Sequence, residues 1–348
     1  MCSRKYVFLR RLFSRLMLDT MARPLKDLRI SVTDRCNFRC RYCMPREVFD
    51  DFEYLSRDQL LTFEEITIVA NAFAELGVNK IRLTGGEPLL RKNLPALVEM
   101  LSAIEGIDDI AMTTNASLLS RHAVALRDAG LDRLTISLDS INTEVFDAMT
   151  DSPFGVPDVL EGIAAAEAAG FGEIKINAVV QRGVNDHTLL ETAEHFRGTP
   201  HILRFIEYMD VGTTNGWAMD QVVTGAEIVD AIATRWPVEP TDPNYLGEVA
   251  KRYRYTDGQG EIGVITSVSA PFCDSCTRAR LSAEGSIYTC LFASGGTNLN
   301  KAIKQGHGLE ELKGLIASVW LRREDRYSQI RSDHTTDWQK VEMSFIGG

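Results

Sequence analysis

The sequence predicts an α/β protein that folds as an open, partial (β/α)6 barrel of the TIM type, followed by a C-terminal extension. From residue 28 onward, short β-rich segments alternate with helical patterns, as expected for βα units in a parallel sheet. Six such units precede residue 211, whereas a closed barrel of this type needs eight. Polar and apolar residues alternate within these segments, so one face of the sheet is predicted to be polar.

The predicted elements follow one another in a regular order. Strands are predicted at 28–32, 80–84, 109–114, 133–138, 173–180 and 202–209. Helices are predicted between them at 63–76, 94–104, 120–129, 157–169 and 189–196. Farther on we predict a helix at 226–235, a proline-marked linker at 237–243 and a hairpin of strands 251–255 and 261–266. The chain therefore divides into an extension (1–22), a barrel (23–211) and a C-terminal region (212–348).

The alternation within the strands predicts what the barrel contains. Helices must cover the apolar face of the sheet, so the polar face points into the barrel. This face carries Arg29, Arg82 and Lys175 on separate strands. Buried cations without partners are costly, and few acids share their face. A bound polyphosphate would satisfy them, because arginine offers bidentate hydrogen bonds to phosphate.

Composition and charge exclude several classes of function. The chain has 348 residues, of which 45% are hydrophobic, enough for one large or two medium domains. Its net charge of −10 argues against a nucleic-acid partner, and no apolar run is long enough to cross a membrane. Seven cysteines, an odd number grouped in two clusters, indicate intracellular metal ligation rather than disulfides. We therefore expect a cytoplasmic protein.

Residues 1–22 differ from the rest of the chain, because basic and apolar residues are interleaved there. The pattern is typical of a basic amphipathic helix at a membrane surface or of a transit-like peptide. A frayed tail read from an upstream start codon also explains it, since Met17 and Met21 are alternative starts. We favour the tail and leave this segment out of the fold prediction.

The first cysteine set, Cys36, Cys40 and Cys43, has the spacing C-x3-C-x2-C. Three thiolates can hold one face of a [4Fe–4S] cube, which normally takes four cysteines, and leave one iron open. An open metal position is typical of a chemical site rather than a structural one. A zinc knuckle or redox thiols are the alternatives, but zinc sites often use C-x2-C pairs, which the x3 gap does not supply.

Together with Tyr42, this cysteine set resembles the signature of radical S-adenosylmethionine (SAM) enzymes. The resemblance implies that the open iron chelates the amino and carboxylate groups of SAM. The turn Gly85-Gly86-Glu87-Pro88 is similar to the loop that binds the methionine amino group in those enzymes, with Glu87 as an acceptor. SAM contacts are then implied for Tyr42, Gly86, Ser137 and Met209.

The second cysteine set comprises Cys273, Cys276 and Cys290, spaced C-x2-C-x13-C. The spacing alone leaves zinc, with His307 as a possible fourth ligand, and an iron–sulfur cluster equally open. With Thr-Arg-Ala-Arg after Cys276 and the terminal Gly347-Gly348, the set resembles the family of GTP 3′,8-cyclases. The similarity runs from about Arg23 to the last residue and implies a second three-cysteine [4Fe–4S] cluster, in the C-terminal extension, whose free iron binds guanine.

The family resemblance also implies roles for individual residues. GTP contacts are implied for Arg29, Arg82, Thr113, Lys175, Arg278 and Arg280. Gly347 and Gly348 are implied to reach the active site, and the apolar alternation at 341–346 predicts a strand that docks this tail. The implied reaction starts when SAM is cleaved to a 5′-deoxyadenosyl radical. That radical removes the ribose 3′ hydrogen of GTP, and C3′ then bonds to C8 of guanine.

The resemblance further implies a homodimer, an external flavodoxin- or ferredoxin-type electron donor, and transfer of the product to cyclic pyranopterin monophosphate synthase. One alternative is a peptide-modifying radical SAM enzyme, which would have little use for three cations inside the barrel. The other alternative is a non-catalytic iron–sulfur sensor, which predicts fully ligated clusters and no Gly-Gly-Glu-Pro pocket.

Overall fold

The computed structural model describes residues 17–245, 247–331 and 338–348. Its described residues form a sheet of twelve strands in the order β12-β11-β10-β1-β2-β3-β4-β5-β6-β9-β8-β7. The strands are β1 Asp27–Ser31, β2 Lys80–Thr84, β3 Asp109–Thr114, β4 Arg133–Ser137, β5 Lys175–Val180, β6 Ile202–Glu207, β7 Val238–Thr241, β8 Lys251–Tyr255, β9 Glu261–Ile265, β10 Arg278–Leu281, β11 Ser286–Tyr288 and β12 Thr297–Asn298.

Strands β1 to β6 are parallel and lie in sequence order, as predicted. Two further strands extend this parallel set, which the count of six βα units did not predict. Strand β9 pairs in parallel with β6, and β10 pairs in parallel with β1. The strand order of the described residues ends at β12 on one side and at β7 on the other, so the sheet does not close into a full barrel. The division at 211/212 remains a prediction, although both sides of it contribute to one sheet.

The described residues also form α-helices, most of which pack against the apolar face of the sheet. They are Arg46–Phe49, Phe63–Glu75, Leu94–Ser102, Ala123–Asp128, Thr143–Thr150, Val156–Ala168, Leu189–Phe196, Gly225–Ala233, Asn300–Lys304, Leu309–Leu321, Tyr327–Ile330 and Met343–Ile346. The helix at 63–75 begins at a capping box, in which the Glu65 amide donates to Thr62 Oγ1 and the Thr62 amide donates to Glu65 Oε2. The apolar strand residues Leu28 and Ile30 are fully buried beneath the helical layer.

Two predictions of local structure are wrong, and several helices, among them those at 143–150 and 309–321, were not predicted. The helix at 143–150 is capped by Asn142, which accepts from the Val145 amide at 3.2 Å. The linker at 237–243 contains β7, an edge strand in which Pro240 is tolerated because one side of the strand is unpaired. The segment 341–346 ends in a short helix, Met343–Ile346, rather than in a strand.

Residues 17–22 belong to the folded unit rather than to the extension. Leu18 forms a β-bridge with Pro24, and the Leu25 amide donates to the carbonyl of Met17 at 3.0 Å. Asp19 is buried. The rest of the predicted tail, residues 1–16, lies outside the described residues. Within the described ranges, no helix is both long and apolar enough to cross a membrane.

Candidate active site

A cavity of ≈ 330 Å³ lies on the polar face of the sheet. All six cysteines of the two predicted sets line it, and so do most of the residues predicted to contact SAM or GTP. The latter are Arg29, Tyr42, Arg82, Gly86, Thr113, Ser137, Met209, Arg278 and Arg280, and Gly348 of the predicted tail lines the cavity as well. The structure therefore brings together motifs that are separated by more than two hundred residues of sequence. Lys175 and Gly347 are not part of this lining.

The first cysteine set lies on a tight turn next to the carboxyl ends of β2, β3 and β4. The amides of Cys43 and Met44 both donate to the carbonyl of Cys40, at 2.9 and 2.8 Å. Burial, followed by the nearby charge of Glu87, raises the pKa of the Cys36 thiol to about 12. Burial also raises the pKa of Cys40 and Cys43. Thiols this hard to ionise are expected to lose their protons only when they bind a cationic metal group.

The second cysteine set has a different electrostatic environment. Arg278 donates to Cys276 Sγ through Nε at 3.3 Å and Nη2 at 3.2 Å, and Arg323 Nη2 donates at 3.1 Å. Burial raises the pKa of Cys276, but the two arginines outweigh it and lower the pKa to about 6. Burial, then Asp325, raises the pKa of Cys290 to about 11. The two arginines therefore stabilise a thiolate at Cys276.

A single zinc ion was the alternative for the second cysteine set. A tetrahedral zinc needs Zn–S bonds of roughly 2.3 Å, so its three sulfurs must converge on one point. Among the described residues, no three His, Cys, Asp or Glu side chains converge in this way. His307, the suggested fourth zinc ligand, is not among the residues that line the cavity, and its Nδ1 lies 3.8 Å from Glu311 Oε2. Three cysteines around a larger cube do not have to meet at one point.

A row of three arginines crosses the cavity on neighbouring strands. In the register of the sheet, Arg29 of β1 lies directly between Arg280 of β10 and Arg82 of β2. Burial, then the charges of Arg280, Arg278 and Arg82, lowers the pKa of Arg29 well below its usual value. Arg29 Nε is buried without a hydrogen-bond partner. Like charges directly opposite each other are destabilising. The carboxylate of Asp27 on β1 offsets part of this repulsion, and an anion bound in the cavity would offset more of it.

Family comparisons agree with this geometry. The radical SAM superfamily model matches residues 30–196, and the Molybdenum Cofactor Synthesis C model matches residues 201–329. A curated GTP 3',8-cyclase of Xanthomonas campestris pv. campestris (strain B100) is 52% identical over 95% of this chain and 97% of its own. The chain belongs to the GTP 3',8-cyclase family. GTP 3',8-cyclases of Acidothermus cellulolyticus and Staphylococcus haemolyticus are 51% and 48% identical, each over 95% of this chain and 98% of their own.

Solved structures support the fold of this family member. Native anSMEcpe with bound AdoMet and Cp18Cys peptide matches with a TM-score of 0.54 at 13% identity, over 83% of this chain and 82% of that chain. A histidine-tagged form of anSMEcpe with bound AdoMet matches with a TM-score of 0.50 at 16% identity, over 61% and 58%. These structures support the fold alone, whereas the curated relatives and the family models confirm the family predicted from the sequence. Its radical SAM part implies a [4Fe–4S] cluster and SAM.

Glu87 of the Gly-Gly-Glu-Pro turn lines the cavity and also holds the turn in place. Its carboxylate accepts from the hydroxyl of Thr114 at 2.7 Å and from the amides of Asn115 and Leu89 at 2.8 and 3.0 Å. Burial raises the pKa of Glu87 to about 7, although these hydrogen bonds oppose the shift. The side chain thus joins the turn to the end of β3. Its Oε2 has one described hydrogen bond, so it can still accept from the predicted ammonium group.

The Gly85–Gly86 turn in this cyclase-family chain packs against the backbone of the first cysteine loop. A Cβ added at Gly86 would lie 2.2 Å from the carbonyl oxygen of Arg35, next to Cys36. We therefore expect Gly86→Ala to destabilise the fold by about 1–3 kcal/mol, as overpacking does, and to weaken SAM binding. Thermal unfolding and SAM titration measure both effects. Gly172→Ala is the matched control, because no atom lies within 4 Å of its added Cβ; equal effects would contradict the close packing.

Several cationic cavity residues were missed at the sequence level. Lys80 and Arg204 both line the cavity. Arg204 Nε donates to Asn177 Oδ1 at 2.9 Å, and burial, followed by the charge of Arg82, lowers its pKa to about 9. The alternation of β6 contained the signal, because Arg204 lies between the buried residues Leu203 and Phe205. Lys175 occupies the first position of β5, where burial and Arg204 lower its pKa to about 8.

The C-terminal glycines lie within the site of this family member. Arg280 Nη1 donates to the carbonyl of Gly347, and the Thr84 hydroxyl donates to the carbonyl of Gly348 at 3.4 Å. The segment before them is held by Glu342, whose Oε1 accepts from the amide and the hydroxyl of Thr213 at 2.9 and 2.8 Å. The tail thus enters beside the same arginine row that faces the cavity.

Proposed function

We propose that this protein converts GTP to (8S)-3′,8-cyclo-7,8-dihydroguanosine 5′-triphosphate, the first step of molybdenum cofactor biosynthesis. One observation carries the proposal: a single cavity is lined by both cysteine sets and by the arginine row. An iron–sulfur sensor or electron carrier would not need a row of arginines in the cavity that its cysteines line. The names of the relatives and the Molybdenum Cofactor Synthesis C match support the same reaction.

The cofactors of the proposal follow from the donor sets. Cys36, Cys40 and Cys43 would hold a [4Fe–4S] cluster, with SAM contacted by Tyr42, Gly86, Ser137 and Met209. Cys273, Cys276 and Cys290 would hold a second [4Fe–4S] cluster. When bound, these groups supply the one-electron chemistry and the hydrogen abstraction, while the protein binds and orients the substrate.

The chain's own residues account for substrate binding in this proposal. The triphosphate is bound by the row of Arg29, Arg82 and Arg280, whose guanidinium groups suit bidentate contact with phosphate oxygens. Arg82 is already aimed into the cavity, because Nη1 donates to the hydroxyls of Thr113 and Thr135 at 3.2 and 3.0 Å. Arg278, beside the second cysteine set, and Lys175 complete the proposed GTP contacts. Holding both ends of GTP fixes the ribose between the two cysteine sets.

Tyr42 and Asp139 stabilise the SAM end of the cavity. The Tyr42 hydroxyl donates to Asp139 Oδ2 at 2.8 Å, and the amide of Val179 donates to Asp139 Oδ1 at 2.9 Å. This pair ties the first cysteine loop to the ends of β4 and β5.

The proposal also includes a homodimer, an electron donor of flavodoxin or ferredoxin type, and transfer of the product to cyclic pyranopterin monophosphate synthase, all of which rest on the family resemblance.

The decisive experiment uses GTP deuterated at C3′. Anaerobically prepared protein is supplied with SAM, a strong reductant and this GTP, and the deuterium content of 5′-deoxyadenosine is measured by mass spectrometry. We expect one deuterium to appear in 5′-deoxyadenosine, together with a cyclised product of GTP. Cleavage of SAM without deuterium transfer would show that GTP is not the substrate.

The arginine row makes a separate prediction about the triphosphate. Arg82→Ala is expected to weaken GTP binding by about 1.5–3 kcal/mol, the range for a lost hydrogen bond to a charged group. Guanosine binding should change little, because guanosine has no phosphate. Calorimetric titration of both ligands measures the difference. Arg182→Ala is the control for net charge, since Arg182 lies at the surface and is paired with Glu227. Equal losses of affinity for GTP and guanosine would show that Arg82 does not bind the triphosphate.

A further inference from the structure

A buried carboxylate, Asp19, connects the start of the described chain to the second cysteine set. Its Oδ2 accepts from Arg23 Nε at 2.6 Å and from Arg323 Nη1 at 3.2 Å. Its Oδ1 accepts from the amides of Met21 and Arg23 at 3.0 and 2.9 Å. The side chains of Asp19, Arg23 and Arg323 are at most 1% exposed. These three residues form a buried hub, in which one carboxylate fixes two guanidinium groups.

Both guanidinium groups point from Asp19 to the cysteine loops. Arg23 Nη1 donates to the carbonyl of Cys273 at 3.0 Å. Arg323 donates to the carbonyl of Cys276 at 2.7 Å, to Cys276 Sγ at 3.1 Å, and to the carbonyl of Thr289 at 3.1 Å. Thr289 precedes Cys290. The two arginines thus contact the backbone at or next to all three cysteines of the second set.

The packing around the hub holds it in one position. The Trp320 ring lies under the Arg323 guanidinium at 4.5 Å from its centroid, and its Nε1 donates to the carbonyl of Arg23 at 3.3 Å. Arg23 also donates to the carbonyl of Asp325 at 2.7 Å, whose carboxylate lies 3.6 Å from Arg323. Buried groups held by several hydrogen bonds each have little freedom, so the hub can fix the geometry of a neighbouring loop.

The charges near the second set leave an excess of positive charge. Four arginines, Arg23, Arg278, Arg280 and Arg323, are opposed by three acids, Asp19, Asp27 and Asp325, and Arg23 Nη2 is buried without a hydrogen-bond partner. Two of these arginines donate directly to Cys276 Sγ. Hydrogen bonds and positive charge at a cluster sulfur favour the more negative, reduced state of the cluster. A cluster in this place is therefore expected to have a raised reduction potential.

We propose that Asp19, Arg23 and Arg323 are positioning residues for the second cysteine set, and that Arg323 raises the reduction potential of the cluster bound there. The inference rests on the proposed function, because it assumes an iron–sulfur cluster at Cys273, Cys276 and Cys290. Arg323 acts through Cys276 and the loop backbone rather than through the substrate. The hydrogen bonds described for the hub lead to the second cysteine set, so the cluster of the first set is an internal reference in the same molecule.

The test compares Asp19→Asn, Arg323→Gln and Arg323→Lys in the full chain, prepared anaerobically with iron and sulfide. Iron content and the EPR signals of both clusters are measured in a potentiometric titration. We expect Arg323→Gln to lower the midpoint potential of the second cluster only, and Arg323→Lys, which keeps the charge, to lower it less. Asp19→Asn should reduce occupancy of the second cluster severalfold and leave that of the first unchanged.

Arg331→Gln is the matched control, because Arg331 is equally buried, pairs with Asp210 at 2.9 Å and has no described contact with a cysteine. Intact first-cluster signals show that a variant is folded, and Arg323→Lys remains informative if Arg323→Gln is not. Wild-type protein without a second cluster would refute the proposed function itself. A wild-type second cluster whose potential and occupancy are unchanged in all three variants, or equally changed in Arg331→Gln, would overturn the role of the hub alone.

Discussion

Replacing Cys276 by alanine is expected to abolish cyclisation of GTP while SAM cleavage continues. Cys276 is the sulfur that accepts hydrogen bonds from both Arg278 and Arg323, so its loss removes a ligand of the second set and the anion those arginines face. The first set lies on another loop and keeps its three cysteines. Under a strong reductant we therefore expect 5′-deoxyadenosine without the cyclised nucleotide, measured by liquid chromatography and mass spectrometry.

Cys40→Ala is the matched substitution in the first set. The Cys40 carbonyl organises the turn that also contains Cys43, and its sulfur faces the same cavity. This variant is expected to form neither 5′-deoxyadenosine nor cyclised product, because the cluster proposed to bind SAM would lose one of its three cysteine ligands. The pair of variants separates the two halves of the site. Cyclisation that survives in Cys276→Ala would remove the second set from substrate binding.

The parallel barrel was predictable because its signal is local. Along β1, Leu28 and Ile30 face the helices while Arg29 faces the cavity, and this alternation is readable from five residues. The cysteine spacing is equally local, since a cluster loop needs its ligands within a few residues of each other. Arg204 follows the same alternation in β6, where it lies between the buried residues Leu203 and Phe205.

The remaining features depend on pairing between distant segments. The parallel partners β9 and β10 come from a region whose local pattern shows only a hairpin and a cysteine motif. The arginine row exists because Arg280 and Arg82 both align with Arg29, and register between strands cannot be read from one strand alone. Asp19 lies in a stretch that resembled a tail, and its partner Arg323 is 304 residues away.

Changes at the diglycine tail are expected to uncouple SAM cleavage from cyclisation. Gly347 has a φ of +76°, and a Cβ there would lie 2.3 Å from Thr84 Cγ2. Gly347→Ala is therefore disfavoured both by the backbone conformation and by a steric clash. A Cβ at Gly348 would lie 2.6 Å from Met343 Sδ. We expect deletion of both glycines, or Gly347→Ala, to reduce product formed per SAM cleaved by at least about tenfold, on the order of 1.4 kcal/mol.

The physical reason for this loss is the position of the tail next to the arginine row. The carbonyl of Gly347 accepts from Arg280, the residue aligned with Arg29. The tail therefore restrains an arginine that is proposed to bind the triphosphate of GTP. Iron content and GTP affinity measured on the same preparations check that both clusters and the substrate remain bound. Gly295→Ala is the control, because no atom lies within 4 Å of its added Cβ. A truncated enzyme that cyclises GTP at the normal rate would reduce the tail to a packing element with no part in the reaction.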